Sequence, residues 1–142
     1  MNDRYLYKAK RKHDSKFFKK GEWVDGAYYI EPYTDKCFII QWNSTGLGFN
    51  EFIEVYGESV CQCTGLKDKN GKLIWENDIM VAHLDDRFPE DATYTRVVWN
   101  NNGFCTKEQV SEDIFPLDKF DQENFEVCGN LFDNPELLEV GE

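Results

Sequence analysis

The sequence has little of what most recognisable enzymes and membrane proteins need. Only two histidines, His13 and His83, occur among 142 residues, so the side chain that most often acts as a general base or metal ligand is nearly absent. No apolar run approaches the roughly 18 residues that cross a bilayer. The polar start Met1-Asn2-Asp3-Arg4-Tyr5 has no secretory pattern. We therefore expect a cytoplasmic protein without a membrane partner.

Cysteine and glycine patterns that would indicate a metal or cofactor are also missing. The five cysteines are odd in number and scattered, which is typical of reduced, packed thiols. Cys61-x-Cys63 lacks the second pair or adjacent histidine of a zinc site. Gly46-Leu47-Gly48 lacks the third glycine of a dinucleotide loop, and no P-loop occurs. We expect no metal and no cofactor.

What the chain does contain favours one β-rich domain. Aromatic residues make up 15% of the sequence, with 4 Trp, 7 Tyr and 11 Phe, and such side chains are enriched in strands. There is no internal repeat, low-complexity tract or Pro/Gly/Ser linker. A chain of this length buries a true hydrophobic core. We therefore expect a single domain over residues 1–142.

Short strands separated by turn residues dominate the pattern. Gly21 to Ile30 reads as two short strands around a turn at Gly26, and Cys37 to Trp42 as a buried strand. The apolar residues between Phe49 and Tyr56 fall at helical spacing, and Pro135 is typical of a first helical position. The fold class that follows is mostly β, a small barrel or sandwich with one short central and one short C-terminal helix.

The net charge of −11 is unevenly distributed along the chain. Residues 1–20 contain eight basic and two acidic residues, whereas residues 107–142 contain two basic and eleven acidic ones. The acidic end predicts a basic protein as partner, and the opposed ends favour self-association. An acidic surface of this kind imitates nucleic acid. The candidate binding residues are Asp113, Asp118, Asp121, Glu123 and Glu126.

The basic start has two interpretations. In the first it is a nucleic-acid arm, in which aromatic residues such as Tyr5 and Phe17 stack on bases. In the second, alternation from Tyr5 to Lys10 makes an ordinary first strand with Tyr5, Tyr7 and Ala9 facing the core. The second is favoured, because the remaining acidic surface repels phosphate. The residues that would contact nucleic acid in the first are Arg4, Lys8, Lys10, Arg11 and Lys12.

A hairpin is the strongest local prediction. Residues 62–80 read Q-C-T-G-L-K-D-K-N-G-K-L-I-W-E-N-D-I-M, and Asn70-Gly71 between two strand patterns indicates a tight turn because both residues tolerate positive φ. Asp78 is expected to accept hydrogen bonds from backbone N–H groups just beyond it, closing a second bend.

The same residues resemble the signature of the YopX family of phage and prophage proteins, roughly Q-Y-T-G-L-K-D-K-N-G-K-x-I-aromatic-E-G-D-I-V. Residues 21–26 (G-E-W-V-D-G) and 127–139 (V-C-G-N-L-F-D-N-P-E-L-L-E) resemble two further family motifs in the same order. Cys63, Asn77 and Met80 replace the usual Tyr, Gly and Val. If the family glycine at position 77 has positive φ, Asn is the side chain that tolerates it next best.

The resemblance implies a mostly-β fold in mobile elements of Gram-positive bacteria and their viruses, without an established reaction. The residues agree, because a nucleophilic cysteine would need a base and no pattern places a cysteine beside His83. We therefore expect no catalytic residues and a non-enzymatic phage or prophage accessory protein that binds a macromolecule. Its acidic end would modulate a protein of the host or phage, as a nucleic-acid mimic or a defence inhibitor. A nucleic-acid-binding small barrel and an enzyme of unrecognised type are the alternatives.

Overall fold

The computed structural model describes residues 5–41, 51–84, 87–88, 90–101, 103–108 and 113–138, which form a mostly-β fold as predicted. The chain divides into two compact units, residues 1–63 and 64–142. The strands of the described part, in chain order, are β1 (Tyr7–Lys10), β2 (Trp23–Ile30), β3 (Cys37–Gln41), β4 (Glu51–Val55), β5 (Cys61–Lys67), β6 (Leu73–Trp75), β7 (Asp78–Ala82), β8 (Thr93–Asn100), β9 (Gly103–Glu108), β10 (Ile114–Pro116) and β11 (Glu126–Asn130).

The helical elements are short. The helix α1 (Lys119–Asn124) lies between β10 and β11, and the 3-10 helices are Gly57–Ser59 and Pro135–Leu138. The predicted C-terminal helix is thus present as a 3-10 turn that begins at Pro135. Within the described ranges, the structure has no helix with the length and apolar character needed to span a membrane.

In the first unit the strands form an antiparallel sheet in the order β4-β3-β2-β1-β5. One face of this sheet carries the core, in which Ala9 pairs with Val24 in register and Ile39 pairs with Ile53. Ala9 and Ile39 have no exposed surface. The predicted first strand is therefore confirmed at Ala9, but Tyr5 is 76% exposed and precedes β1.

The predicted central helix is wrong. Its described part is the strand β4, which pairs with β3 from Cys37↔Val55 to Gln41↔Glu51, and Phe49 lies outside the described residues. Ile53 and Val55 face the core two positions apart, while Phe52 is 59% exposed. A window of one helical turn cannot separate the two periods, and pairing with β3 decides the outcome.

The predicted turn at Gly26 is also wrong, because β2 runs without interruption from Trp23 to Ile30. A Cβ atom at Gly26 would overlap the Ile40 carbonyl oxygen of β3 and lie 3.0 Å from Cγ2 of Ile39. Glycine is required there because a neighbouring backbone passes too close for a side chain, and because its φ of 158° is one that other residues rarely adopt.

In the second unit the antiparallel order is β10-β9-β8-β7-β11, and β5 continues past Cys63 to be followed by β6. Neither strand order closes on itself within the described residues, so the barrel in the predicted fold class is not formed there. The core comprises Ile74, Met80, Ala82, Val97 and Phe125.

The predicted hairpin is present, but its turn differs from the expected type. Of Asn70 and Gly71 only Gly71 has positive φ, at 83°. Its N–H donates to the Asp68 carbonyl, and the Asp68 N–H donates to the carbonyl of Lys72. This is the pattern of a three-residue hairpin loop whose last residue is left-handed.

The second bend, between β6 and β7, confirms the expectation for Asn77, whose φ is 71°. The Asp78 carboxylate accepts a backbone N–H at this bend, and the donor is Trp75, at 2.8 Å, which precedes Asp78 in the chain. This hydrogen bond joins the first residue of β7 to the last residue of β6 and so closes the bend. Beyond it, β7 pairs with β8 and β11.

Candidate functional site

Two of the five predicted acidic binding residues are used by the fold itself. Asp118 is the N-cap of α1: its side chain accepts the N–H of Asp121, and the Asp121 side chain accepts the N–H of Asp118. Asp121 is only 8% exposed. The pair forms a capping box, a signal that the spacing Asp-x-x-Asp contains and that our sequence analysis did not use.

The other three acidic residues differ in exposure. Asp113 is exposed, and Glu123 is exposed with an ion pair to Lys119 at 3.7 Å. Glu126 is half-buried at the start of β11 and accepts a hydrogen bond from the Asn70 side chain at 2.8 Å. The structure therefore leaves Asp113, Asp118 and Glu123 at the surface, where a partner can reach them.

Asp121 makes the stability of the second unit depend on pH. Burial raises the pKa of Asp121, and the nearby Asp118 carboxylate adds to the shift although the Asp118 N–H opposes it. Because the folded pKa lies above the unfolded one, this group's favourable contribution is full below about pH 4 and is lost as pH rises through the folded pKa. We expect Asp121→Asn to remove that loss, since its amide oxygen still accepts the Asp118 N–H.

Urea unfolding of Asp121→Asn and the parent between pH 3.5 and pH 7 measures this effect. The free energy of unfolding of the variant, relative to that of the parent, should increase as pH rises. The exposed Asp91→Asn serves as the matched control. A difference that stays constant with pH, or moves the other way, would contradict the assigned role of Asp121.

The predicted basic residues lie close to aromatic and acidic side chains of the first unit. Lys8 and Lys10 both lie over the Trp23 ring, at 4.7 and 5.3 Å from its centroid. Lys12 forms an ion pair with Glu54 at 3.6 Å, and Arg4 lies outside the described residues.

Glu54 receives a second basic partner from the same segment. His13 Nε2 lies 2.9 Å from its carboxylate, and this hydrogen bond, with the nearby Lys12 charge, lowers the pKa of Glu54. The basic residues of the N-terminal segment are thus largely engaged within the first unit.

Arg11 differs from the other basic residues. It is only 6% exposed, its guanidinium carbon lies 4.0 Å from the centroid of the Phe18 ring, and its Nε has no hydrogen-bond partner. An unpaired buried N–H of a charged group costs about 1–3 kcal/mol or more. A buried donor of this kind is what an anionic ligand would satisfy.

Two cavities of the first unit share Arg11 and Phe18 in their walls. The larger, of about 460 Å³, is bounded by residues 11–18 and by β3 and β4, and its lining includes Phe17, Phe38 and Phe52. The smaller, of about 210 Å³, is lined by Lys8, Arg11, Phe18, Trp23, Val24, Asp25 and Gln41. No sequence pattern predicts these cavities, because Arg11 meets β4 through a bridge to Val55, 44 positions away.

The histidine and cysteines considered for catalysis differ in exposure. His83 is exposed and its Nδ1 lies 3.0 Å from the carbonyl oxygen of Asp91. Burial raises the pKa of the Cys128 thiol, with a further contribution from Glu126, so little thiolate forms at neutral pH. Cys61 and Cys63 are buried. Within the described ranges, no three His, Cys, Asp or Glu side chains form a metal-binding group.

Comparison with known proteins decides the family. The family model described as YopX protein matches residues 7–139. The chain belongs to the YopX family. The match includes the hairpin and both flanking motifs, so the resemblance drawn from the sequence is confirmed. It also spans both units, and the prediction of a single YopX-like domain stays a prediction.

A solved structure has the same fold as this YopX chain. The crystal structure of protein EF1440 from Enterococcus faecalis matches with a TM-score of 0.54 and 21% sequence identity, over 95% of this chain and 97% of that one. At this identity the likeness is one of fold. Comparison with the curated proteins gives no match.

Proposed function

We propose that this YopX protein is a non-enzymatic accessory protein of a phage or prophage that acts in the host cytoplasm by binding a macromolecule. In this proposal its acidic second unit engages a basic protein of the host or phage and competes with nucleic acid for it. Such a protein would inhibit a defence or DNA-processing factor of the host.

The observation that supports the proposal is the division of charge between the two units. Residues 1–63 contain nine basic and nine acidic residues, whereas residues 64–142 contain seven basic and eighteen acidic ones. The whole net charge of −11 therefore belongs to the second unit. A field of one sign attracts partners of the opposite sign and speeds their association at low salt.

The exposed side chains of the second unit are also acidic on balance. Its exposed basic residues in the described part are Lys67, Lys69, Lys72, Arg87 and Lys119. The exposed acidic residues there are Glu90, Asp91, Glu108, Asp113, Asp118, Glu123, Asp133 and Glu136. The exposed side chains of the described part, eight acidic and five basic, therefore carry a net negative charge of 3, which a basic partner can reach.

The alternative of a nucleic-acid-binding small barrel has less support. The first unit is neutral overall, and its Lys8, Lys10 and Lys12 are engaged with Trp23 and Glu54. A protein that tracks a phosphate backbone needs several cations along one groove. The proposal of a non-catalytic role is supported by the exposed His83 and by the raised pKa of Cys128.

Affinity capture from host lysate tests the proposal. The parent protein should retain a basic, nucleic-acid-handling protein at low salt and release it at high salt, and duplex DNA should compete with the capture. The variant Asp113→Asn/Asp118→Asn/Glu123→Gln should retain at least several-fold less, because rim charges set association rates and salt dependence. Asn at position 118 preserves the helix cap.

The matched control removes the same number of negative charges from exposed positions of the first unit, as Asp35→Asn/Glu51→Gln/Glu58→Gln. This control should retain the partner as the parent does. Recovery of nothing basic at low salt, or equal loss in both triple variants, would sink the acidic-surface proposal.

The proposal includes self-association, for which the exposed aromatic residues of the first unit give some support. Tyr29, Phe38 and Phe52 contact one another at centroid distances of 6.2–6.3 Å, and Phe52 is 59% exposed. Light scattering at low and high salt measures the mass in solution. An assembly held by opposed charges should dissociate at high salt, and an apolar one should persist.

A further inference from the structure

Beyond the acidic surface, we propose that the first unit binds a single phosphate group in its smaller cavity, the one lined by Lys8, Arg11 and Trp23. The group is the phosphate of a small ester such as a nucleotide, or the terminal phosphate of a nucleic acid. The site is built around Arg11 and is separate from the acidic residues of the proposed function.

The position of Arg11 is fixed by its backbone. Its N–H donates to the carbonyl of Glu22 at 2.9 Å, its own carbonyl accepts the N–H of Gly21 at 2.8 Å, and it bridges to Val55 of β4. The guanidinium rests on Phe18, which orients its plane. A donor held this firmly is ready for a ligand, and little conformational freedom is lost on binding.

The guanidinium also has unused capacity. Arg11 is more than nine-tenths buried, and its Nε lacks a hydrogen-bond partner although the side chain lines the cavity. A guanidinium presents its N–H groups in a planar fork that matches two oxygens of a phosphate. A phosphate bound in the cavity would pair with the charge of this guanidinium, and it would accept the unmade hydrogen bond once the side chain turns Nε toward it.

The remaining walls of the cavity suit a single anion. Lys8 supplies a second positive charge and packs on Trp23, while Asp25 supplies the one carboxylate of the lining. Asp25 is exposed, so solvent screens it. The Gln41 side chain already donates to the carbonyl of Asp25 at 3.2 Å. A volume of about 210 Å³ holds a phosphate and not a large ligand.

Titration calorimetry and thermal unfolding of the full chain test the site, with inorganic phosphate and AMP as the probes. Both probes should release or absorb heat with one site per chain and raise the melting temperature as their concentration increases. Arg11→Gln should weaken binding roughly tenfold or more, and Lys8→Gln several-fold, since each removes one charge-assisted contact. Lys19→Gln, an exposed lysine outside the cavity, is the control.

Circular dichroism establishes that each variant is folded, and if Arg11→Gln is not, Arg11→Lys and Lys8→Gln provide the comparison. Arg11→Lys retains the charge without the fork and should bind with intermediate affinity. No binding of either probe at millimolar concentration would overturn the proposal. Unchanged affinity in both Lys8→Gln and the folded Arg11 variant would overturn it as well.

A 5′-phosphorylated single-stranded oligonucleotide distinguishes the two sources of the phosphate. Tighter binding than AMP that depends on the 5′-phosphate assigns the site to a nucleic-acid end, and equal binding assigns it to a small ester. The variant Asp113→Asn/Asp118→Asn/Glu123→Gln should bind phosphate as the parent does. Failure of the phosphate site and failure of the acidic surface are therefore observed separately.

Discussion

Replacing Asp68 by Ala should lower the free energy of unfolding by about 3–5 kcal/mol. The Asp68 carboxylate is 6% exposed and accepts three backbone N–H groups, from Asn70 and Lys72 at 2.9 Å and from Val127 at 2.8 Å. Hydrogen bonds to a charged group contribute about 1.5–3 kcal/mol each, and an unpaired buried donor costs about 1–3 kcal/mol. The bonds share one carboxylate, so their contributions do not simply add.

Urea unfolding measures this loss, and Asp68→Asn refines it. The amide oxygen of Asn can still accept the N–H groups of the turn, but its NH2 group then faces the Val127 N–H and cannot accept from it. We therefore expect an intermediate loss of about 1–3 kcal/mol. The exposed Asp91→Asn should change stability by less than about 0.5 kcal/mol. If Asp68→Ala cost no more than that control, the carboxylate would not hold the hairpin as the geometry indicates.

The hairpin illustrates what local sequence determines and what it does not. Asn70-Gly71 predicts the position of the turn, because the φ preferences of those residues act over a few neighbouring positions. The role of Asp68 could not be predicted, since its partner Val127 is 59 positions away. The positive φ of Asn77 could be predicted, because it is a local property of one residue and its turn.

The candidate binding residues show the same contrast between what is local in the sequence and what folding decides. Charge runs are visible in the sequence and were correctly located at its two ends, but exposure is decided by folding. Asp121 is used to cap α1, and Lys12 forms an ion pair with Glu54. In the sequence Arg11 does not differ from the other basic residues. In the fold it bridges to Val55 and lines two cavities. Pairing across some forty positions leaves no periodic signal in the sequence.

Gly26 is the position where local sequence was most misleading, because a glycine between short apolar runs ordinarily predicts a turn. Here it lies in the middle of β2, opposite Tyr7 of β1 and beside Ile40 of β3. The constraint is the close approach of the β3 backbone, which a sequence pattern does not record. Substitution by alanine tests how closely the β3 backbone approaches this glycine.

We expect Gly26→Ala to lower the free energy of unfolding by about 2–3 kcal/mol, at the upper end of the cost of overpacking. The added methyl would overlap the Ile40 carbonyl oxygen and lie 3.0 Å from Cγ2 of Ile39. A backbone atom of a paired strand cannot move without disturbing the β2–β3 register. The loss should outweigh the gain of up to about 1 kcal/mol that alanine brings by restricting the unfolded chain.

Gly103→Ala is the matched control for this measurement, because a Cβ there has no atom within 4 Å and the residue has no positive φ. Its free energy of unfolding should stay within about 0.5 kcal/mol of the parent. Equal, small effects at both positions would mean that β2 and β3 are further apart at Gly26 than described. Such a result would again allow the predicted turn at Gly26. A large loss confined to Gly26→Ala is the result expected of the continuous strand, which places Val24 in the core beside Ala9.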